Sequence, residues 1–118
     1  MDEIVVERVL RAVEQVPSGR LVSYGDLATL VGIGPRQVGS IMRHWGANVP
    51  WWRVTNAAGE LPAHLREEAR GLWAEEGILM GRNGVGARMV DYRADLATLA
   101  QGWERACASL DVDDRGHR

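Results

Sequence analysis

The sequence is short of cysteine and of long apolar runs, and each of these shortages excludes a class of structure. It has no lysine, a single cysteine (Cys107), and no apolar run near the roughly 18 residues needed to cross a membrane. A lone cysteine cannot form an intrachain disulfide or a metal cluster, and its place in a predicted helix favours a small buried apolar side chain. His44 and His64 have no companion ligands at metal-binding spacing, so we expect neither a metal nor another cofactor.

Length and charge indicate one small domain with a local cationic surface. The chain has 118 residues, which leaves room for one modest core. Its first residues lack the basic flank and apolar stretch of a secretory signal, which predicts a cytoplasmic protein. The net charge is −2, yet the segment from Arg20 to Val54 has four arginines and one acidic residue, a balance of +3. A basic segment in an otherwise acidic chain can bind phosphates.

Two short helices joined by a glycine turn are predicted inside this basic segment. Ser23 is placed to cap a helix over residues 24–31, and Gly32 ends it. Pro35 then occupies a favoured first position of a second helix, which continues to about Trp45. Such a pair, with arginines on the second helix, is typical of a helix-turn-helix that places its second helix in a DNA groove.

The rest of the chain predicts further helices and short extended pieces. Apolar residues recur at helical spacing over residues 3–15. The segments predicted downstream are an extended stretch at 49–54, a turn at 56–59, a helix at 63–76 ended by Gly77, a short hairpin or wing at 78–92, a helix at 94–109 and a disordered charged tail from Asp111 to Arg118. We therefore predict an α+β, mostly helical, winged helix-turn-helix-like DNA-binding domain at 1–92, followed by a C-terminal helix and tail at 93–118.

Four motifs in a fixed order resemble a known family. They are Val22-Ser23-Tyr24-Gly25-Asp26-Leu27-Ala28, then Arg36-Gln37-Val38-Gly39-Ser40-Ile41-Met42-Arg43, then Val49-Pro50-Trp51-Trp52-Arg53-Val54, then Glu75-Glu76-Gly77. Over about residues 3–80 they resemble the C-terminal domain of O6-alkylguanine-DNA alkyltransferases, and more closely the alkyltransferase-like proteins. The resemblance implies a protein that flips O6-alkylated guanine out of duplex DNA and hands the lesion to nucleotide excision repair.

Trp51 stands where the enzymes of this family have their alkyl-accepting cysteine. An indole has no low-pKa nucleophile that could attack an alkyl carbon, so the resemblance implies lesion binding without a catalytic residue. Alkyltransferase-like proteins usually keep a histidine at the next position, where this chain has Trp52. In the enzymes that histidine relays a proton to a buried glutamate, which Glu76 matches here. An indole N–H can donate a hydrogen bond to Glu76 but cannot shuttle a proton.

The resemblance also assigns the DNA contacts. Tyr24 matches the residue that crowds the target phosphate, and Arg36 matches the finger that fills the gap left by the flipped base. Gly39 and Ser40 are small enough to let the second helix approach the groove wall closely. Arg43 lies near the same helix face as Arg36 and is a candidate phosphate contact.

The predicted pocket for the alkylated base follows the same loop. It comprises Pro50, Trp51, Trp52, Arg53, Val54, Asn56 and His64, with Glu76 as its support. Because neighbouring residues of an extended segment face opposite ways, we expect Trp51 to face the base and Trp52 to face Glu76. Arg53 is interpreted as an ion-pair partner rather than a ligand contact.

Simpler alternatives exist for these residues and for the whole chain. The tyrosine and the tryptophans could be core residues, and the arginines could be solvated. The chain could be a sequence-specific helix-turn-helix transcription regulator, which should bind a repeated half-site as a dimer, or an enzyme that transfers alkyl groups to Cys107. The leading expectation is a monomer that binds double-stranded DNA containing O6-alkylguanine, with excision-repair proteins as later partners and no membrane contact.

Overall fold

The first helix, α1 (Glu3–Gln15), supplies the central apolar face of the fold. The structure is a computed structural model, and it describes the backbone of residues 2–116 and the side chains of residues 2–110. The Asp2 carboxylate caps α1 by accepting a hydrogen bond from the Ile4 backbone N–H at 2.8 Å. Val9, Ala12 and Val13 are fully buried, as the helical spacing of apolar residues predicted. None of the described helices is long and apolar enough to cross a membrane.

The predicted helix-turn-helix is confirmed. Strand β1 (Val22–Ser23) leads directly into α2 (Tyr24–Val31), and a turn connects α2 to α3 (Pro35–Trp45). Ser23 and Asp26 form a reciprocal capping box in which each side chain accepts a hydrogen bond from the other residue's backbone N–H, both at 3.0 Å. Gly32 ends α2 in the left-handed conformation, with φ of +87°, where a residue with a Cβ would be strained.

The loop after α3 differs from its prediction. The extended stretch expected at 49–54 is interrupted by a single 3-10 turn at Trp51–Arg53, which follows another at Gly46–Asn48. The cause is Pro50, whose φ of −71° and ψ of 69° form a tight inverse γ-turn. That turn is closed by the Trp51 backbone N–H, which donates to the Val49 carbonyl at 2.7 Å. After this turn the chain continues as β2 (Val54–Thr55), which pairs in parallel with β1.

The predicted helix at 63–76 begins as a 3-10 turn at Ala63–Leu65 and continues as α4 (Arg66–Glu76), which Gly77 ends. Within residues 78–92 the predicted hairpin is wrong. This segment forms a compact loop and the short helix α5 (Met89–Tyr92), and its contact with the preceding turn is one antiparallel bridge between Glu60 and Gly86. Its glycines provide no side chains that could form cross-strand pairs.

The last helix, α6 (Leu96–Gly116), packs along α1. The Trp103 indole N–H donates to the Arg8 carbonyl at 2.9 Å and fixes the two helices together. The predicted disordered tail from Asp111 is wrong for residues 111–116, because their backbone continues α6. Residues 111–115 include no proline or glycine that would end the helix. Residues 117 and 118, and the side chains beyond 110, lie outside the described residues.

Two hydrophobic cores result from this arrangement. The first core joins α1, α2, α3 and α6, and its members are Val6, Val9, Ala12, Val13, Val16, Val22, Leu27, Ala28, Val38, Ile41, Val49, Val54, Ala94 and Leu99. The second core joins α4 to the loops around it, and its members are Leu21, Leu61, Ala69, Trp73, Ile78 and Ala87. The short parallel pairing of β1 with β2 contributes Val22 and Val54 to the first core, and Leu21, directly before β1, belongs to the second.

Candidate nucleic-acid interface

A cavity of about 670 Å³ lies between the two cores. One wall comes from α2 and α3. The other comes from the start of α4 and from the 3-10 turn at Trp51–Arg53, which we call the Trp51 turn. The lining residues are Tyr24, Gly39, Met42, Arg43, Gly46, Ala47, Trp51, Leu61, Pro62, His64, Leu65 and Glu68. The volume lies in the range of small-molecule pockets and exceeds what a single nucleobase requires.

The two adjacent tryptophans have different surroundings, as predicted. Trp51 lines the cavity, whereas the Trp52 indole N–H donates to a Glu76 carboxylate oxygen at 2.8 Å. The rings meet edge to face, with centroids 5.7 Å apart and planes at 87°. The prediction assumed an extended backbone. The 3-10 turn instead separates neighbouring side chains by about 120°, which also directs Trp51 and Trp52 to different surroundings.

Glu76 anchors the wall behind the cavity. Its carboxylate accepts hydrogen bonds from the Arg53 guanidinium at 2.7 Å, from the Gly19 backbone N–H at 2.8 Å, and from Trp52. Burial by itself would raise the pKa of Glu76, but these hydrogen bonds and the charge of Arg53 together hold that pKa below its ordinary value. The carboxylate is therefore ionised near neutral pH, and Arg53 is its ion-pair partner, as the sequence favoured.

Further hydrogen bonds connect this turn to both cores. Arg53 also donates to the carbonyl of Val16, at the end of α1, at 2.9 Å. The Trp73 indole N–H donates to the Trp52 carbonyl at 2.7 Å and fixes the turn against α4. The position of Trp51 is thus set by residues that are distant in the sequence.

On the opposite wall, Tyr24 begins α2 and is half-buried against the first core. Burial raises the pKa of its phenol, so the hydroxyl is neutral and can donate a hydrogen bond. Gly39 and Arg43 on α3 line the same cavity. A Cβ built on Gly39 would have no atom within 4 Å, apart from its own helix and chain neighbours, so the space beside this part of α3 is open.

Arg36 and Arg43 are both exposed on α3, two helical turns apart. Arg36 lies at the N-terminal end of the helix, outside the cavity lining. Ser40 lies between them and is half-buried, and its carbonyl contacts the His44 ring at 2.8 Å. The exposed face of α3 therefore presents two guanidinium groups, of which Arg43 lies at the cavity.

The structure brings together only part of the predicted base pocket. Trp51 and His64 line the cavity, whereas Pro50, Trp52, Arg53, Val54 and Asn56 are not among its lining residues. Val54 is 1% exposed, inside the first core. The Asn56 side chain accepts hydrogen bonds from the Ala58 and Glu60 backbone N–H groups and so shapes the turn before the pocket wall.

Several lining residues were missed by the sequence analysis. They are Met42, Gly46, Ala47, Leu61, Pro62, Leu65 and Glu68. Glu68 lies four residues after His64 and three after Leu65 on continuous helical backbone, so it shares a helix face with each of them. That spacing could have connected Glu68 to His64. No local signal identifies the others, because they reach the cavity only through the packing of α3 against the second core.

This architecture is that of a helix-turn-helix DNA-binding domain with a cavity beside its second helix. The family model for the DNA-binding domain of 6-O-methylguanine DNA methyltransferase matches residues 5–80. The chain belongs to this family.

Individual relatives agree with that assignment. The chain is 33% identical over 85 residues to the DNA base-flipping protein of Escherichia coli, which is 66% of this chain and 65% of that protein. It is 40% identical over 65 residues to alkyltransferase-like protein 1 of Schizosaccharomyces pombe, which is 52% of this chain and 59% of that protein. The chain thus spans somewhat less than two thirds of the length of these relatives.

A solved structure has the same fold. The crystal structure of S. pombe Atl1 in complex with damaged DNA containing O6-carboxymethylguanine matches with a TM-score of 0.70 and 26% sequence identity. The match covers 80% of this chain and 98% of that one. The prediction of a mostly helical α+β fold of helix-turn-helix type is therefore confirmed.

Proposed function

We propose that this protein binds O6-alkylguanine in duplex DNA, extrudes the damaged nucleotide into the cavity between its two cores, and holds it there without a chemical step. The observation that carries the proposal is Trp51, an indole on the cavity wall at the position where the family's enzymes have their acceptor cysteine. An indole can stack on a base or contact its alkyl group, and stacking on a base contributes about 1–3 kcal/mol. It cannot accept the alkyl group, because it has no low-pKa nucleophile.

The remaining roles follow from charge and shape. Extrusion costs a few kcal/mol of unstacking and unpairing, and Arg36 is exposed at the end of α3 where a guanidinium could fill the gap in the duplex. Tyr24 would press on the phosphate of the extruded nucleotide, and Arg43 would bind a neighbouring phosphate. Gly39 and Ser40 would allow close approach of α3 to the DNA.

Pro50, Arg53, Val54 and Asn56 would then shape the loop rather than touch the base, and Glu76 would hold Trp52 and Arg53 in place. His64 lines the cavity and would contact the base or its alkyl group. Transfer of the lesion to nucleotide excision repair, the monomeric state and a cytoplasmic location stay predictions from the sequence.

The test is a titration of the protein with duplexes that differ by a single O6-methylguanine. We expect tighter binding to the alkylated duplex and quenching of tryptophan emission as the base meets Trp51. Tyr24→Ala and Arg36→Ala should each weaken binding to the alkylated duplex at least several-fold. Arg36→Ala should leave the melting temperature unchanged because its side chain is exposed, whereas Tyr24→Ala should also lower it because the ring packs against the first core. Equal affinity for plain and alkylated DNA would refute the proposal and favour a sequence-specific regulator.

Absence of alkyl transfer requires its own measurement. Cys107 is 4% exposed in α6 and is not among the residues that line the cavity, so we expect the mass of the protein to be unchanged after incubation with alkylated DNA. The Cys107→Ala variant serves as the control. An added alkyl group that the variant does not acquire would show that the protein is an enzyme.

A further inference from the structure

The loop formed by residues 81–88 has no part in the proposed base pocket. We call it the glycine–arginine loop, and its sequence is Gly81-Arg82-Asn83-Gly84-Val85-Gly86-Ala87-Arg88. It lies beyond residue 80, where the family match ends. With Ala58 it surrounds a second concavity of about 500 Å³, to which Arg82 and Arg88 both contribute. Both arginine side chains are exposed.

The loop is held in one shape by its own hydrogen bonds. The Asn83 side-chain oxygen accepts a bond from the Val85 backbone N–H at 2.9 Å, and the Gly81 N–H donates to the Gly86 carbonyl at 2.7 Å. Gly84, with φ of +69°, makes the turn in a conformation that favours glycine. A fixed loop loses little conformational freedom when it binds a ligand.

The same loop is attached to the wall of the base cavity. The Ala87 N–H donates to the Gly59 carbonyl at 3.0 Å. The two backbones cross so closely that a Cβ on Gly86 would lie 2.5 Å from that carbonyl oxygen. Gly59 precedes Leu61 by two residues, and Leu61 lines the base cavity. Since a chain extends at most about 3.5 Å per residue, Ala58 in the second concavity lies within roughly 10 Å of Leu61.

The charges of the loop are available for an anion. Among the described residues, Arg82 has no carboxylate within ion-pair distance, and Arg88 has only Asp91 at 3.7 Å, with both side chains largely exposed. Exposed pairs of this kind contribute little. Guanidinium groups around a concave, glycine-rich backbone are well suited to a phosphate.

We propose that the glycine–arginine loop binds a backbone phosphate of the same duplex whose damaged nucleotide occupies the base cavity. Phosphates of one strand follow each other every 3.4 Å along the helix axis, and the segment from Ala58 to Leu61 connects the two concavities, so the contacted phosphate should lie within a few nucleotides of the extruded base. The location of the duplex rests on the proposed function. The loop would extend the DNA contact beyond α3 and increase affinity without reading sequence or damage.

The first experiment measures how the dissociation constant of the full chain depends on salt. Each phosphate contact that is lost should lower the slope of log Kd against log salt concentration by about 1. We expect this change for Arg82→Ala and for Arg88→Ala, on plain and alkylated duplexes alike, so that the preference for the lesion is retained. Arg105→Ala, an exposed arginine of α6, is the matched control and should leave the slope unchanged.

A second experiment locates the phosphate. Neutral methylphosphonate linkages replace single phosphates on each side of an O6-methylguanine. At the contacted position, wild-type protein should lose affinity while the Arg82→Ala/Arg88→Ala double variant loses no more, since the two changes remove the same contact. The proposal is overturned if the double variant keeps the wild-type salt slope, or if its loss adds fully to that of every methylphosphonate.

The two proposals fail in different ways. If the proposed function is wrong, the wild-type protein shows no preference for the alkylated duplex. If only the loop proposal is wrong, that preference is present and the arginine variants match the wild type. Thermal melting of each variant verifies that the fold is intact.

Discussion

The two hydrophobic cores are built differently. The first core consists of aliphatic side chains, chiefly valine, leucine and alanine, buried between four helices. The second core has Trp73 at its centre, with Trp51, Trp52, Tyr92 and two methionines packed around it, and short turns supply much of its backbone. Aromatic side chains and methionine adapt to irregular surroundings. The second helix of the helix-turn-helix thus belongs to the regular core, and the aromatic wall of the cavity belongs to the irregular one.

The cores also differ in what stabilises them. Burial of apolar surface is sufficient to hold helices with periodic apolar faces together. The Trp51 turn instead depends on a partly buried ion pair, and both its partners make additional hydrogen bonds. Such a network imposes one geometry, but it is vulnerable to loss of any member.

Loss of Glu76 should have the largest effect. Glu76→Ala leaves the Arg53 charge and the Trp52 N–H without their acceptor, and we expect a loss of about 4 kcal/mol in the free energy of unfolding. Urea denaturation followed by tryptophan fluorescence measures it. Glu75→Ala is the control, because Glu75 is exposed on the same helix. A loss below about 1 kcal/mol would mean that the network does not hold the second core together.

A cavity in the first core should affect stability alone. Leu99 in α6 is 5% exposed, so Leu99→Ala should lower the free energy of unfolding by about 3 kcal/mol. The ratio of affinities for alkylated and plain duplex should stay the same, because α6 lies outside the candidate interface. Leu96→Ala, at a 38% exposed position, should cost much less. A changed affinity ratio in Leu99→Ala would show that the two regions are coupled.

Replacement of Gly39 in α3 by alanine should change stability and DNA affinity in opposite directions. A Cβ there meets nothing in the free protein, so Gly39→Ala should increase the free energy of unfolding by about 1 kcal/mol through helix propensity. The same methyl group should weaken DNA binding, since it occupies space that the duplex needs. Gly71→Ala in α4 is the matched control: its Cβ also meets nothing, and it should stabilise without affecting binding. Unchanged affinity in Gly39→Ala would contradict close approach at this point.

The smallest expected effect is one of pH. The pKa of Glu76 is lower in the folded protein than in the unfolded chain, so its contribution to stability is complete above the unfolded value of about 4.3 and is lost as the pH falls through the folded value. Wild type should therefore lose more unfolding free energy between pH 6 and pH 3 than Glu76→Gln does. Parallel pH profiles for the two proteins would contradict this assignment.

The difference between the cores also explains which predictions succeeded. Capping by Ser23, termination at Gly32 and the start at Pro35 are local signals, and they located the helix-turn-helix almost to the residue. The 3-10 turn at Trp51 depends on the γ-turn of Pro50 and on hydrogen bonds from Trp73 and Arg53, which no local window contains. Met42 and Leu61 both line the cavity, but they are far apart in the sequence and come together only in the folded chain.

The hydrogen bond between Trp52 and Glu76 constrains how this protein could evolve. A cysteine introduced at position 51 would have no proton acceptor beside it, because the neighbouring indole can only donate and the carboxylate is already engaged by Arg53. A cysteine nucleophile with a proton acceptor next to it would therefore require the replacement of both Trp51 and Trp52.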